Sequence, residues 1–352
     1  MTTTIAFLGP AGTFTEAAVH KFATEWEARG ETVETLPVDS PSAAVAAVRA
    51  GQADYACVAI ENSVDGAVTA TFDALVEGDP VQIYREVDIP VTFSIMTRPG
   101  TKDITRLSTH PVAFQQIRGW VAENAPGVEF VPASSNAAAA QAVARGEVDA
   151  AAAPARAAEI FGLETKASGV ADVQGAATRF VLVGLPGRPT ARTGQDRTSV
   201  IFTLPNQPGT LVGALQDFAH RGVDLSRIES RPTRQTFGTY RFYVDLIGHI
   251  DDQPVAEALR AVWLRAEELR FLGSWPTATP AGHPPRDLAE ADAWVVARLR
   301  DLDTGKRPVL FRTNMDAGHG GKSGRFRRYR ELAEMYAFAL DQLGVDAGTV
   351  AK

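Results

Sequence analysis

The sequence predicts an α/β protein with a two-lobed body, residues 1–187, followed by a smaller βαββαβ domain, residues 197–280. Three observations carry this expectation. From Thr3 to about Gly187, short β-rich segments alternate with helical ones, the pattern of an α/β sheet with parallel strands. Near residues 78–95 the alternation stops, and Val81–Tyr84 and Val91–Ile95 follow one another as extended segments with no helix between them, as where a chain crosses between lobes. The Pro/Gly-rich stretch Pro186–Gly194, which neither helix nor sheet accommodates well, then separates the body from the smaller domain.

Within the body, strands are expected at Thr4–Leu8, Tyr55–Ile60, Val128–Val131 and Arg179–Gly184, and helices at Ser40–Ala50, Pro111–Glu123 and Asn136–Arg145. A second crossing between lobes falls near residues 170–180. After a linker at 188–196 come strand Thr198–Leu204, helix Gly209–Arg221, strand Leu225–Ser230, strand Thr239–Ile247, helix Pro254–Leu269 and strand Arg270–Trp275. That order is the ferredoxin-like motif. The stretch Pro276–Pro285 closes it, and a helical C-terminal extension over 281–352 carries segments at Asp287–Leu302 and Arg325–Leu343.

Composition narrows the function. A chain of 352 residues, 45% of them hydrophobic, can bury a large core in more than one domain. Its net charge of −7 argues against nucleic acid or a membrane surface as partner, leaving small molecules. The single cysteine, Cys57, cannot form an internal disulfide, and Met1-Thr2-Thr3-Thr4 lacks the basic and apolar regions of a signal peptide, so a cytoplasmic location is expected. No apolar run reaches the ~18 residues that span a bilayer. Metal, nucleotide and serine-hydrolase motifs such as HExxH, CxxC, GxxxxGK[ST] and GxSxG are missing, so neither metal nor cofactor is expected.

Five polar clusters could carry chemistry. Gly9-Pro10-Ala11-Gly12-Thr13-Phe14-Thr15-Glu16 follows a strand and opens a helix, where backbone amides and hydroxyls can converge on an anion. Glu61-Asn62-Ser63-Val64-Asp65-Gly66 ends an apolar strand, at the carboxyl edge where open α/β sheets bind ligands. Ser108-Thr109-His110-Pro111 leads into a helix bearing Gln115 and Gln116, with Thr109 or His110 at the positive end of its dipole. Ser134-Ser135-Asn136 precedes an alanine-rich helix. Thr178-Arg179-Phe180 sets a hydroxyl beside a guanidinium that can grip a carboxylate. Read singly, each also fits a capped turn or a solvated strand edge.

Together, in this order and spacing, Gly9–Glu16, Glu61-Asn62-Ser63 with Gly66, Thr109-His110-Pro111 with Gln116, and Thr178-Arg179-Phe180 resemble the prephenate dehydratase family, over roughly residues 4–280. The resemblance implies a catalytic part built like a periplasmic binding protein, with its site in the cleft between lobes. It also implies the conversion of prephenate to phenylpyruvate in L-phenylalanine biosynthesis. Prephenate loses its ring hydroxyl as water and one carboxylate as carbon dioxide, driven by aromatisation, so the site must position and assist proton movement rather than react covalently. Carried over residue by residue, Thr178 helps the hydroxyl leave within a network of Asn62, Thr109 and Gln116. Gly12, Thr13, Phe14, Glu61, Ser63, Gly66, Ser135, Asn136, Arg179 and Phe180 are the expected substrate contacts, with Arg179 either a carboxylate clamp or a structural ion pair. Thr109 stands where the family usually has Ser, and Ala176 where it usually has Asn. Arogenate dehydratase, acting on the aminated analogue, and a non-catalytic amino-acid sensor of the same fold are the alternatives.

The second domain resembles the family's ACT domain through Asn206-Gln207-Pro208-Gly209-Thr210-Leu211 and Glu229-Ser230-Arg231-Pro232. This implies inhibition by L-phenylalanine bound through Asn206, Pro208, Gly209, Leu211, Val212, Ser226, Ile228, Glu229 and Ser230 between paired copies, hence a homodimer or homotetramer. Residues about 307–344, including His319, resemble instead the C-terminal tail of prolyl oligopeptidase-family serine peptidases. A lone histidine without a nucleophile elbow gives no triad chemistry, so the segment reads as a peripheral remnant.

Overall fold

The computed structural model describes residues 2–285 apart from residue 235. The helical segments expected at Asp287–Leu302 and Arg325–Leu343, and His319, lie outside the described residues. The described residues divide into two compact units, one of residues 2–201 with Arg270–Ala281, the other of Phe202–Leu269 with residues 282–285.

In the first unit, β1 (Thr2–Leu8), α1 (Phe14–Glu27), β2 (Thr32–Val38), α2 (Pro41–Arg49), β3 (Tyr55–Asn62), β4 (Gly66–Ala67), α3 (Thr69–Val76) and β5 (Gln82–Pro90) build one lobe. The chain then forms a second lobe of β6 (Ser94–Thr97), β7 (Arg106–Thr109), α4 (Pro111–Gln115), α5 (Arg118–Asn124), β8 (Glu129–Pro132), α6 (Asn136–Arg145), β9 (Ala150–Ala153), α7 (Ala155–Phe161) and β10 (Glu164–Ser168). It returns along β11 (Ala177–Gly184) into the first sheet, whose order is β2-β1-β3-β11-β5 with β4 paired to β3. The second sheet runs β10-β6-β9-β7-β8.

The expected parallel pairing holds for β1 with β2 and β3, and for β7 with β8 and β9. It fails for β11, which is antiparallel to both β3 and β5, and for β6, antiparallel to β9 and β10. The reason is connectivity. β11 comes back from the second lobe and enters the first sheet at the end where β5 leaves it, so no helical crossover reverses its direction.

Local sequence explains the helix starts. Thr13, Ser40 and Ser135 accept hydrogen bonds from the backbone N–H three residues on, at 3.2, 3.0 and 3.0 Å, and so cap α1, α2 and α6. One expected helix divides. Pro111–Glu123 is α4 and α5, broken at Gln116 and Ile117. The Gln116 carbonyl accepts from Asp172 N at 2.7 Å, and Ile117 N bonds back only three residues, to Phe114 O at 3.3 Å. An outside donor takes the carbonyl that the helix would have used, and the turn tightens and stops.

The first lobe's core joins Ile5, Phe7, Val87, Ile89, Phe180 and Leu182 of the sheet to Ala18, Val19 and Phe22 of α1. The second lobe has a different filling. Ala151 and Ala153 of β9, Ala139 and Ala140 of α6 and Ala157 of α7 are fully buried around Met96 and Val143, so methyl-sized groups let helices and sheet approach closely.

The second unit holds α8 (Thr210–Ala219), β13 (Leu225–Pro232), β14 (Tyr240–Ile247) and α9 (Gln253–Arg265). Its sheet is completed by β12 (Asp196–Thr203) and β15 (Glu268–Pro276), strands shared with the first unit, in the order β13-β14-β12-β15. This is the ferredoxin-like arrangement.

Candidate active site

Register decides what surrounds Thr178. In β11 it stands opposite Asn62 of β3 and Ile89 of β5. Because strand side chains alternate, Thr178 shares a face with Phe180 and Leu182, toward α1. Asn62 Nδ2 donates to Thr178 Oγ1 at 2.9 Å. The orientation of that amide is fixed from its other end, since Asn62 Oδ1 accepts from Val64 N at 2.8 Å and Asp65 N at 3.1 Å. Gly66, at φ +81°, completes the tight turn that brings these amides back onto Asn62. Ser63 ties the same corner to β11, its Oγ accepting from Ala177 N at 3.0 Å.

The second lobe reaches this corner through Gln116, whose Nε2 donates to Asp65 Oδ2 at 2.5 Å. Gln116 Oε1 is buried without a hydrogen-bond partner. Thr109 is fully buried, and its hydroxyl lies 2.7 Å from Ala152 O and 3.2 Å from Asn136 Oδ1. Asn136 Oδ1 also accepts from His110 N at 3.2 Å. His110 caps α4, its Nδ1 accepting from Val112 N at 3.3 Å. Burial lowers the His110 pKa from its ordinary value, against a smaller raising effect of the Asp65 charge.

At the third side, Phe14 packs edge-on against Phe93 of the second lobe, with centroids 5.8 Å apart. Here the sequence expectation changes. The Gly12 amide, read as open to an anion, donates to Glu16 Oε2 at 2.8 Å, and the Thr13 hydroxyl is engaged with Leu8 O at 3.3 Å and Glu16 N at 3.2 Å. The helix's own first turn fills the anion position. Ser135 likewise caps α6.

Glu61 and Arg179 behave differently from the remaining expected contacts. Arg179 stands opposite Glu61 and Asp88, one residue out of phase with Thr178, and therefore on the reverse face of the sheet. Its Nη1 lies 3.0 Å from Glu61 Oε2, and its Nε lies 3.4 Å from Asp88 Oδ1 and 3.8 Å from Glu86 Oε1. Of the two roles read from the sequence for Arg179, the geometry is that of a structural ion pair. Phe180 returns to the α1 face as core.

The structure thus brings Thr178, Asn62 and, through Asp65, Gln116 into one corner between the lobes, with Thr109 and Asn136 forming a separate hydrogen-bonded pair inside the second lobe. Sequence reasoning gave no site role to Asp65 or to Glu86. Asp65 had a signal, being the acid within the polar run that ends β3. Glu86 gave no such signal, since β5 also carries Gln82, Arg85 and Asp88 and nothing local sets Glu86 apart. Cys57 carries no chemistry here, since full burial holds its thiol well above the usual range. Among the described residues, no cluster of His, Cys, Asp and Glu could hold a metal ion.

In the second unit, Gly209 opens α8 at φ +83°, a conformation that favours glycine. Val212 on α8 and Ile228 on β13 are exposed, as are Asn206, Pro208, Ser226 and Ser230, while Leu211 and Glu229 are half-buried.

A two-lobed α/β body like that of periplasmic binding proteins, with polar side chains meeting between the lobes and a ferredoxin-like domain attached, defines the class: an enzyme with an appended regulatory module. The family model for prephenate dehydratase matches residues 5–187, that for the ACT domain residues 198–264, and that for the prolyl oligopeptidase family residues 288–346. The chain is 57% identical over 302 residues to the prephenate dehydratase of Corynebacterium glutamicum, covering 84% of this chain and 96% of the relative. It is 52% identical over 304 residues to that of Mycolicibacterium gilvum, covering 84% and 98%. A crystal structure of prephenate dehydratase from Arthrobacter aurescens in complex with L-Phe superposes with a TM-score of 0.74 at 44% identity, covering 84% of this chain and 99% of that one. The chain belongs to the prephenate dehydratase family. It is a hydro-lyase acting on prephenate.

Proposed function

We propose that Thr178 donates a hydrogen bond to the departing ring hydroxyl of prephenate, and that Asn62 prepares it to do so. The single observation behind this reading is the direction of the Asn62 amide. A hydroxyl has one hydrogen to give. With Asn62 Nδ2 donating to Thr178 Oγ1, that hydrogen is left to point at a ligand, and the incoming donor polarises it. Threonine is a weak acid, so its contribution is a preorganised hydrogen bond that strengthens as the C–O bond breaks and the oxygen leaves as hydroxide, which takes its proton from solvent to become water. Gln116 Oε1, buried without a partner, is the complementary acceptor for the ring hydroxyl's own hydrogen. Thr109 and Asn136 hold the second lobe's wall in place, and Phe14, backed by the buried Phe93, supplies an apolar surface for the ring. Aromatisation supplies the driving force for loss of carbon dioxide.

L-phenylalanine is the regulator in this reading. The ACT match, the L-Phe complex of the Arthrobacter relative and the exposed set around Gly209, Val212 and Ile228 support it. Two or four copies, paired through this domain in the cytoplasm, would complete the effector site with Asn206, Pro208, Leu211, Ser226, Glu229 and Ser230.

Purified protein assayed for phenylpyruvate tests the catalytic assignment. Thr178→Val should lower kcat by roughly two to three orders of magnitude, the range for loss of one such donor, with an unchanged far-UV spectrum. Thr178→Ser should restore most of the rate. Near-normal kcat in Thr178→Val would remove Thr178 from the mechanism.

A further inference from the structure

Glu86 of β5 is buried, and none of the roles above uses it. Its carboxylate gathers donors from separate stretches of the chain. Oε2 accepts from Arg197 Nε and Trp275 Nε1, both at 2.9 Å, and Oε1 accepts from Ala278 N at 3.0 Å. Oε1 also lies 3.8 Å from Nε of Arg179, the residue next to Thr178. The Glu86 and Arg197 side chains are each 1% exposed.

These partners sit at informative places. Arg197 belongs to β12 and Trp275 to β15, neighbouring strands of the four-stranded sheet. β12 runs on unbroken to Thr203, and β15 begins at Glu268, so both strands extend into the unit that carries the effector candidates.

A buried carboxylate held by guanidinium groups is seldom more stabilising than apolar residues of the same volume, and its best-attested use is to fix one arrangement against another. Hydrogen bonds weaken steeply once distance or angle departs from optimum. A small displacement of the β12 and β15 ends therefore changes how the Glu86 charge is shared between Arg197 and Arg179. Arg179 is anchored in β11 beside Thr178, whose hydroxyl lies opposite Asn62. Arg179 and Thr178 share one stretch of β11 backbone, so the Arg179 anchorage bears on the Thr178–Asn62 geometry.

We infer that Glu86 is a positioning residue which reports the state of β12 and β15 to Thr178 through Arg179, and so couples the effector domain to the catalytic hydroxyl. The inference rests on the reading of L-phenylalanine as regulator. Coupling of this kind is a free energy shared between two sites, of a size that changes affinity by about 5- to 150-fold.

The test uses the full chain and two variants. Trp275→Phe keeps an aromatic ring but removes one donor to Glu86, and Glu86→Gln keeps the shape but removes the charge. L-phenylalanine binding is measured by calorimetry, and prephenate turnover is followed across a phenylalanine titration. The wild type should bind and be inhibited. Trp275→Phe should still bind phenylalanine, yet the mutual effect of phenylalanine and prephenate on each other's affinity should fall about 5-fold. Glu86→Gln should lose more of that coupling, with a lowered kcat at little-changed KM. If Glu86→Gln does not fold, Trp275→Phe decides alone. Wild-type coupling in every folded variant would overturn the role of Glu86 and leave the effector reading standing. A wild-type chain that phenylalanine neither binds nor inhibits would overturn the effector reading, and the coupling with it.

Discussion

Thr178 and Arg179 are consecutive residues of one strand, yet they work in opposite surroundings. On one face of β11, Thr178 meets a neutral amide, Asn62, above a core of Ile89, Phe180 and Leu182. On the other face, Arg179 joins Glu61, Glu86 and Asp88, a set of carboxylates that Arg197 also enters. The pleat separates them, because its period of two sends neighbours to opposite sides. A threonine–arginine–phenylalanine motif that looks like one functional unit is thus divided by the sheet into a hydrogen-bonding group, a structural cation and a core side chain. In the role proposed for Thr178, a weak, directed donor is kept from the strong field of ion pairs by the thickness of a strand.

Breaking each face should have a different consequence. The largest expected effect is on the neutral face, where Thr178→Val lowers kcat by roughly two to three orders of magnitude while leaving thermal stability near that of the wild type. On the charged face, Arg179→Met should cost stability first. Removing one partner of a buried ion pair typically costs about 3–5 kcal/mol. Since the Arg179 side chain is 21% exposed, about 2 kcal/mol is expected, read as a lower urea midpoint at unchanged slope. An Arg179→Met variant as stable as the wild type but inactive would show that the guanidinium acts on substrate.

The smallest effect concerns pH. Burial lowers the His110 pKa below its ordinary 6.5, so the unfolded chain binds that proton more readily than the folded one. Stability should therefore be intact above about pH 6.5 and fall as pH drops toward and through the folded value. His110→Gln should shrink the difference in urea midpoint between about pH 7.5 and about pH 5.5. An equal or larger difference would contradict the burial argument.

Much of the architecture was legible from periodicity and turn chemistry. The helix at Asn136–Arg145 follows from Ser135 and an alanine run, and the βαββαβ order from six well-spaced segments. What escaped was non-local. The antiparallel entry of β11 depends on which end of the sheet the chain returns to, a property of the path and not of residues 177–184. The break at Gln116 depends on the backbone N–H of Asp172, which no pattern within 111–123 contains. Residue types and spacing pointed to Asn62, Gln116 and Thr178, which the structure does gather in one corner. Facing was not readable, because the assignment of Arg179 and Glu61 to the reverse side requires the register of three strands. Glu86 was invisible for the same reason, as its partners Arg197, Trp275 and Ala278 lie far along the chain.

The claim that Asn62 acts by holding and polarising the Thr178 hydroxyl is tested most directly by a double-mutant cycle. Asn62→Ala, Thr178→Val and the combined variant are measured for kcat under saturating prephenate. Groups that act as one unit are strongly non-additive. The account predicts that the double variant is slower than Thr178→Val alone by no more than about 3-fold. Losses in the two single variants that multiply in the double would show that Asn62 and Thr178 act independently, and would contradict it.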